Sequence, residues 1–223
     1  MSLTHFDWAT HQAAMRPNKI AIKDYTLKEE ISYLELNSRA SKIANYLESK
    51  NIKAGDRVAL LAKNHSIFFE LQFACAKTGV ILVPLNWRLT GPELSYILED
   101  CSPELLFFDC SFENTLKEIL DALPSLRAME FDPFDRNDEL ALAVSNQSPE
   151  FCAVNRNLDD LIMIMYTSGT TGNPKGAKIN HKMHLFNTIN LSGLGGITSK
   201  TIQLVVLPLF HTGGLNCYAN PIL

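Results

Sequence analysis

A stretch rich in glycine and hydroxyl side chains is the strongest chemical signal in the chain. Residues 167–176 read TSGTTGNPKG and directly follow a continuous apolar run, residues 161–166. Glycines let the backbone turn its amides toward a common point, hydroxyls donate hydrogen bonds to anionic oxygens, and a lysine adds a mobile positive charge. The apolar run has the character of a strand covered on both faces. The pattern therefore predicts a polyphosphate-binding loop at the end of a buried strand.

Three other interpretations of this loop compete with phosphate binding. A β-hairpin turn needs only Gly172-Asn173-Pro174, with the threonines as ordinary strand residues, and it gives the lysine no role. A Walker loop requires Gly-Lys-Ser/Thr, whereas this chain has Pro174-Lys175-Gly176-Ala177. The dinucleotide-binding pattern G-x-G-x-x-G fails because Gly169 and Gly172 are not spaced for it. Phosphate binding is favoured, and the hairpin turn is the remaining alternative.

Local sequence signals predict where several helices begin and end. The stretches Ser32–Glu35 and Thr90–Glu93 are capping boxes, in which a hydroxyl and a glutamate satisfy the amides of the first helical turn. Gly79 follows a helical segment and predicts a left-handed helix end. Ser111 and Asn180 each precede a further helical segment and are predicted to cap it.

Short apolar runs between these helices predict the strands that must position the loop. They occupy residues 57–62, 80–85, 105–108 and 127–131. Strands joined by helices are mostly parallel, so we predict an α/β fold with mostly parallel sheets flanked by helices. Residues 20–131 are expected to form βα repeats, and residues 132–160 an irregular exposed connection. Residues 161–223 are expected to hold the phosphate-loop strand and a following helix and strand.

The loop and several other segments together identify a family resemblance. Residues 166–176, YTSGTTGNPKG, closely resemble the signature loop of the adenylate-forming superfamily, which contains acyl-CoA synthetases, adenylation domains that load carrier proteins, and firefly-type luciferases. Residues 31–36, 53–58 and 84–90 add further similarity, and LPLFHTGGL at 207–215 resembles the family's next motif. The resemblance covers nearly the whole chain. Asn86-Trp87-Arg88-Leu89-Thr90 resembles the fatty-acid CoA ligase branch more than the amino-acid branch.

The resemblance implies a reaction in two halves. ATP and a carboxylic acid, here expected to be a fatty acid, give an acyl-adenylate and pyrophosphate, and the thiol of CoA then displaces AMP. Pyrophosphate departure requires charge neutralisation, which preorganised donors and Mg²⁺ provide. A hydroxyl of Thr170 or Thr171 is the expected metal contact. The residues that match the family's positions for the β- and γ-phosphates are Thr167, Ser168, Gly169, Thr170, Thr171, Gly172 and Lys175.

Three histidines are further candidates for chemistry. By the same resemblance, His211 matches a position beside the acyl carboxylate, where an imidazole donates to the substrate oxygen or packs the pocket wall. The alternative is a buried structural histidine next to the turn Thr212-Gly213-Gly214. His181 and His184 are spaced to share one helical face, but they lack a third ligand nearby, so a metal site there is not expected.

The length of the chain bears on how much of the reaction it can perform. Members of this family are much longer, and this sequence stops at Leu223, directly after the histidine motif. We therefore expect an incomplete N-terminal α/β domain over residues 1–223 without the family's C-terminal domain, and no adenylate formation by this piece alone. Two alternatives stay open for the whole protein: an adenylation domain that loads a carrier protein, and a non-catalytic binding module with the same fold. We also expect a homodimer, because an incomplete domain exposes apolar surface.

Composition excludes several other classes of protein. The 223 residues are 46% hydrophobic, with 24 acidic and 20 basic side chains and a net charge of −4. This balance argues against disorder, and it gives no basic excess for nucleic acid or anionic lipid. The five cysteines are an odd number without a C-x-x-C pair, which favours reduced thiols and a cytoplasmic protein. We expect neither a secretion signal nor a transmembrane segment.

Overall fold

The computed structural model describes residues 7–135, 137–167 and 172–223. Helices and strands alternate between residues 29 and 167, as the periodicity predicts. Consecutive strands without an intervening helix occur at residues 20–32 and 161–180, so the βα repeats predicted from residue 20 begin only at residue 29. The helices are α1 (Trp8–Met15), α2 (Tyr33–Ser49), α3 (Ile67–Thr78), α4 (Gly91–Cys101), α5 (Glu113–Ala122), α6 (Glu139–Ser145) and α7 (His181–Gly195), with a short 3₁₀ turn at Cys110–Phe112 and a π-helical turn at Gly213–Ala219. The strands are β1 (Ile20–Asp24), β2 (Glu29–Ser32), β3 (Arg57–Leu61), β4 (Ile81–Pro84), β5 (Leu105–Asp109), β6 (Ala128–Phe131), β7 (Leu161–Thr167) and β8 (Lys175–Asn180).

A six-stranded sheet forms the centre of the molecule in the order β6-β5-β3-β4-β7-β8. Neighbouring strands run parallel from β6 to β7, and β8 turns back to pair antiparallel with β7. Strands β1 and β2 form a separate antiparallel hairpin. The predicted α/β fold with a mostly parallel sheet is confirmed.

Side chains of alternating strand residues bury the two faces of this sheet. Leu60 and Phe107 pack on the face covered by α2 and α3, whereas Leu61 and Phe108 pack on the face covered by α4 and α5. This alternation follows from the two-residue period of a strand, and burial on both faces explains why the strands are apolar throughout. In the described ranges no helix is both long and apolar enough to cross a membrane.

The helix boundaries predicted at Ser32, Thr90 and Gly79 are found in the structure. The carboxylate of Glu35 accepts from the Ser32 amide at 2.8 Å, and the carboxylate of Glu93 accepts from the Thr90 amide at 2.8 Å. Gly79 ends α3 with φ +78°. This left-handed conformation favours glycine, and the guanidinium of Arg156 would have to move to make room for a Cβ at Gly79.

Two further local details differ from the sequence predictions. Ser111 does not cap the helix that follows it; the carboxylate of Asp109 accepts from the Ser111 amide at 2.8 Å and starts a 3₁₀ turn instead. The segment 132–160, expected to be irregular, contains the seven-residue helix α6, whose N-cap Asp138 accepts from the Ala141 amide at 2.6 Å. Such a helix is too short to display a clear apolar period.

Candidate functional site

The predicted phosphate loop connects two paired strands. Strand β7 lies beside β4 and pairs with β8, and Thr167 lies opposite Lys175 in the register. Both residues are exposed, as is Gly172, which has a φ of +147° that favours glycine. The remaining predicted loop residues, Ser168, Gly169, Thr170 and Thr171, lie outside the described residues.

The antiparallel pairing of β7 and β8 bears on the hairpin alternative. The chain does reverse between these strands, so the hairpin interpretation is correct for the path of the backbone. A hairpin connection and an anion-binding loop are compatible, because successive backbone amides in a turn can face the same anion. Gly176, directly after Lys175, is needed for packing, since a Cβ there would lie 2.8 Å from Cγ2 of Ile164.

The segment that contains His211 is held at the carboxyl end of the parallel sheet by Asn64. Asn64 follows β3, and its side-chain amide donates to the Leu207 carbonyl at 2.9 Å while its oxygen accepts from the Leu209 amide at 2.9 Å. These two bonds fix the backbone on both sides of Pro208. Asn64 was not among the residues predicted from the sequence. Its position just past a buried strand is a usable signal, since ligand sites of parallel sheets lie at this edge.

His211 is exposed, so the interpretation as a buried structural histidine is wrong. Its Nδ1 accepts from the Gly213 amide at 3.1 Å. A ring nitrogen that accepts a hydrogen bond is not available as a donor, so Nε2 is the ring nitrogen that can donate to a ligand. His211 thus presents a donor suited to an anionic oxygen.

Buried amide side chains hold the π-helical turn that follows His211. Asn220 and Gln72 of α3 exchange hydrogen bonds of 2.9 and 3.2 Å, and Asn220 also donates to Asn216 at 3.0 Å. Asn216 in turn donates to the Thr212 hydroxyl at 3.1 Å. Because each of these three buried amides has hydrogen-bond partners, burying them costs little free energy. This amide row of Gln72, Asn216 and Asn220 gives the turn a defined position against α3.

Aromatic side chains line the same edge of the sheet. Trp87, just past β4, contacts Phe210 with ring centroids 6.4 Å apart and Phe112 at 6.5 Å. The guanidinium of Arg88 lies 4.8 Å from the Trp87 ring centroid. Trp87 and Phe210 thus join the end of β4 to the residue that precedes His211, and they offer an apolar wall close to the histidine.

A metal site needs several His, Cys, Asp or Glu side chains close together. Among the described residues, no group of three or more His, Cys, Asp or Glu side chains could hold a metal ion. His181 is buried at the start of α7, where Asn180 accepts from the Met183 amide at 2.8 Å as predicted for the cap. The expected metal contact Thr170, and its alternative Thr171, lie outside the described ranges.

Known proteins resemble this chain over nearly all of its length. The AMP-binding enzyme family matches residues 9–223. Indoleacetate–CoA ligase of Aromatoleum aromaticum is 33% identical over 221 residues, which cover 97% of this chain and 42% of that protein. The fatty acid–[acyl-carrier-protein] ligase ScoC of Streptomyces coeruleorubidus is 34% identical over 189 residues, which cover 83% of this chain and 36% of that protein.

A solved structure shows the same fold. ATP-bound MatB from Rhodopseudomonas palustris superposes with a TM-score of 0.81 at 31% identity, covering 92% of this chain and 40% of that one. This chain therefore spans less than half the length of each of these three relatives. The resemblance of the chain to the adenylate-forming superfamily is confirmed. With a sequence match from residue 9 to residue 223 and a shared fold, the chain belongs to the AMP-binding enzyme family.

Proposed function

We propose that the protein containing this chain is an ATP-dependent acid–thiol ligase, which converts a carboxylic acid into an acyl-adenylate and transfers the acyl group to CoA. The observation that supports this most directly is the placement of Thr167 and Lys175 opposite each other at the ends of β7 and β8. Their pairing brings a hydroxyl and an ammonium group to the two sides of a glycine-rich loop. That combination matches the charge of a triphosphate.

The loop residues have a defined task in the first half-reaction. As the acid's carboxylate oxygen bonds to the α-phosphorus, the bond to the bridging oxygen breaks and pyrophosphate leaves with its negative charge. Lys175, the hydroxyls of Thr167, Ser168, Thr170 and Thr171, and the backbone amides of Gly169 and Gly172 would hold the β- and γ-phosphates and offset that charge. Mg²⁺, when bound, would neutralise phosphate oxygens further, with the hydroxyl of Thr170 or Thr171 as its candidate contact.

His211 is proposed to orient the acid. Its Nε2 proton is available for donation to a carboxylate oxygen, since Nδ1 accepts from the backbone. Asn64 and the amide row of Gln72, Asn216 and Asn220 keep the histidine segment in place. A positioned donor of this kind raises the fraction of bound acid in a reactive orientation.

The class of acid and the acceptor thiol form the finer part of the proposal. A fatty acid is the first candidate, because residues 86–90 resemble the fatty-acid branch and ScoC is a fatty acid ligase. An aromatic acid is the second candidate, because the indoleacetate ligase is a relative over 97% of this chain. Transfer to a carrier protein in place of CoA is the alternative favoured by ScoC. The cytoplasmic location and the homodimer stay predictions.

Replacing Lys175 with alanine tests the proposal. ATP-dependent pyrophosphate release by the full-length gene product, measured with short, medium, long and aromatic acids, is expected to fall about 10- to 100-fold because one charged donor to the leaving group is lost. Lys178→Ala is the matched control, since Lys178 is an exposed lysine of the same strand, three residues along. That control is expected to retain the wild-type rate.

Other outcomes would contradict the assignment in distinct ways. Equal loss of activity in both lysine variants would remove the special role of Lys175. A folded full-length protein that releases no pyrophosphate with any acid would favour the non-catalytic binding module. Residues 1–223 alone are expected to release none, since they span 42% of the indoleacetate ligase. Release by this piece would overturn that expectation.

A further inference from the structure

Tyr166 connects the strand before the phosphate loop to a distant helix. Its hydroxyl donates a hydrogen bond to Oδ2 of Asp100 in the last turn of α4. The two residues are 66 positions apart in sequence, and Tyr166 directly precedes Thr167 at the loop entrance. The hydrogen bond therefore joins the first residues of the loop to an element outside the β7–β8 hairpin.

The position of Asp100 is unusual for an acidic residue. A negative charge in the last turn of a helix is disfavoured by the helix dipole. The hydroxyl of Tyr166 offers this carboxylate a compensating donor. The hydrogen bond from Tyr166 thus explains why an acidic residue is tolerated at position 100, where the helix dipole alone would favour a basic one.

The end of α4 is itself fixed to the sheet. Arg57 of β3 donates from Nε to the Cys101 carbonyl at 2.7 Å and from Nη2 to the Ser102 carbonyl at 2.6 Å. These bonds satisfy carbonyls that the helix leaves without internal partners. The backbone next to Asp100 is therefore hydrogen-bonded to the central strand β3. Tyr166 in turn is hydrogen-bonded to a residue whose position is fixed.

The ring of Tyr166 is held from the opposite side by β8. Tyr166 and Gly176 face each other in the β7–β8 register, and a Cβ at Gly176 would lie 3.2 Å from Cζ of Tyr166. The ring thus lies over the glycine while its hydroxyl reaches Asp100. Burial, followed by the hydrogen bond to Asp100, raises the pKa of Tyr166, so the hydroxyl stays protonated and remains a donor throughout the physiological range.

We propose that Tyr166 and Asp100 are positioning residues that hold the entrance of the phosphate loop in its ATP-binding geometry. The inference rests on the proposed function, because it assigns ATP to the loop. Neither residue needs to touch the nucleotide. Their hydrogen bond restrains the end of β7, and Thr167 with its partner Lys175 takes its position from that restraint.

Kinetics of Tyr166→Phe and Asp100→Ala in the full-length protein test this role. Each variant is expected to raise the KM for ATP about 3- to 5-fold, with the KM for the acid unchanged, because only the phosphate site loses its restraint. The double variant should have the same KM for ATP as either single variant, since each substitution removes the same hydrogen bond. Asp100→Asn keeps an oxygen acceptor and should restore most of the ATP affinity. Tyr25→Phe, at an exposed tyrosine of the turn after β1, is the control.

The outcomes separate this inference from the proposed function. A purely structural role would lower the active fraction, and with it kcat, at an unchanged KM for ATP. That result, or additive effects in the double variant, would overturn the inference even if Lys175→Ala lowers activity as expected. Calorimetric titration with ATP applies the same test without turnover. A folded wild-type protein that binds no ATP would overturn both the inference and the proposed function.

Discussion

Replacing Asp7 with alanine is expected to lower the free energy of unfolding by about 3–5 kcal/mol. Lys77 of α3 has a side chain that is only 1% exposed. Its ammonium group contacts Oδ2 of Asp7 at 2.8 Å and the Thr10 hydroxyl at 2.8 Å. Without Asp7 the buried positive charge loses its counter-ion, and desolvation of that charge is no longer compensated. Urea unfolding of the wild-type and variant proteins measures the difference.

A double variant separates the unpaired charge from the loss of packing. Lys77→Met in the Asp7→Ala background removes the charge and keeps an apolar chain of similar length, so most of the lost stability should return. Equal instability of the single and double variants would show that the ion pair is not the cause. The N-cap hydrogen bond from the Thr10 amide to Asp7, 3.1 Å long, is lost in the single and in the double variant. Its loss accounts for the difference in unfolding free energy that remains between the double variant and wild type.

The same ion pair makes stability depend on pH in the acid range. Burial by itself would raise the pKa of Asp7, but the hydrogen bond and charge of Lys77, together with Thr10, bring that pKa below its ordinary value. Because the folded pKa is depressed, the stabilisation is complete above the unfolded pKa of about 3.9 and is lost as pH falls through the folded pKa. Asp7→Ala should lack this component of acid unfolding.

The second large effect is expected for Gly214→Ala, at about 3 kcal/mol of lost stability together with loss of the proposed ligase activity. A Cβ at this position would lie 2.2 Å from the Pro208 carbonyl oxygen and 2.7 Å from its carbon. The backbone on both sides of Pro208 is held by Asn64, so it cannot move away without breaking those bonds. Relief of the overlap would displace the turn that carries His211. Urea unfolding and pyrophosphate release measure the two effects.

Gly193→Ala is the control for that substitution. Gly193 lies within α7, and an added Cβ would meet no described atom within 4 Å. Alanine favours helix over glycine by about 1 kcal/mol, so this variant should be unchanged or slightly more stable. Wild-type stability of Gly214→Ala would contradict the close approach of Gly214 to Pro208.

Features that depend on a few neighbouring residues were determined by the sequence alone. The capping pairs of Ser32 with Glu35 and Thr90 with Glu93, and the left-handed end at Gly79, all occur where their spacing predicts. Such contacts span one helical turn, so residue type and spacing are sufficient to specify them. The loop motif at residues 166–176 likewise indicated the family, because its signal lies in a continuous string of residues.

Features that depend on distant parts of the chain were decided by the tertiary structure. Strand order places β7 beside β4, and no local pattern specifies which buried strands become neighbours. Asn64 contacts backbone 143 and 145 residues away, and Tyr166 reaches a helix 66 residues earlier. These hydrogen bonds form only after packing has brought the elements together. The residues proposed to bind phosphate and acid can therefore be predicted from the sequence. The contacts that hold them in position arise only from the packed fold.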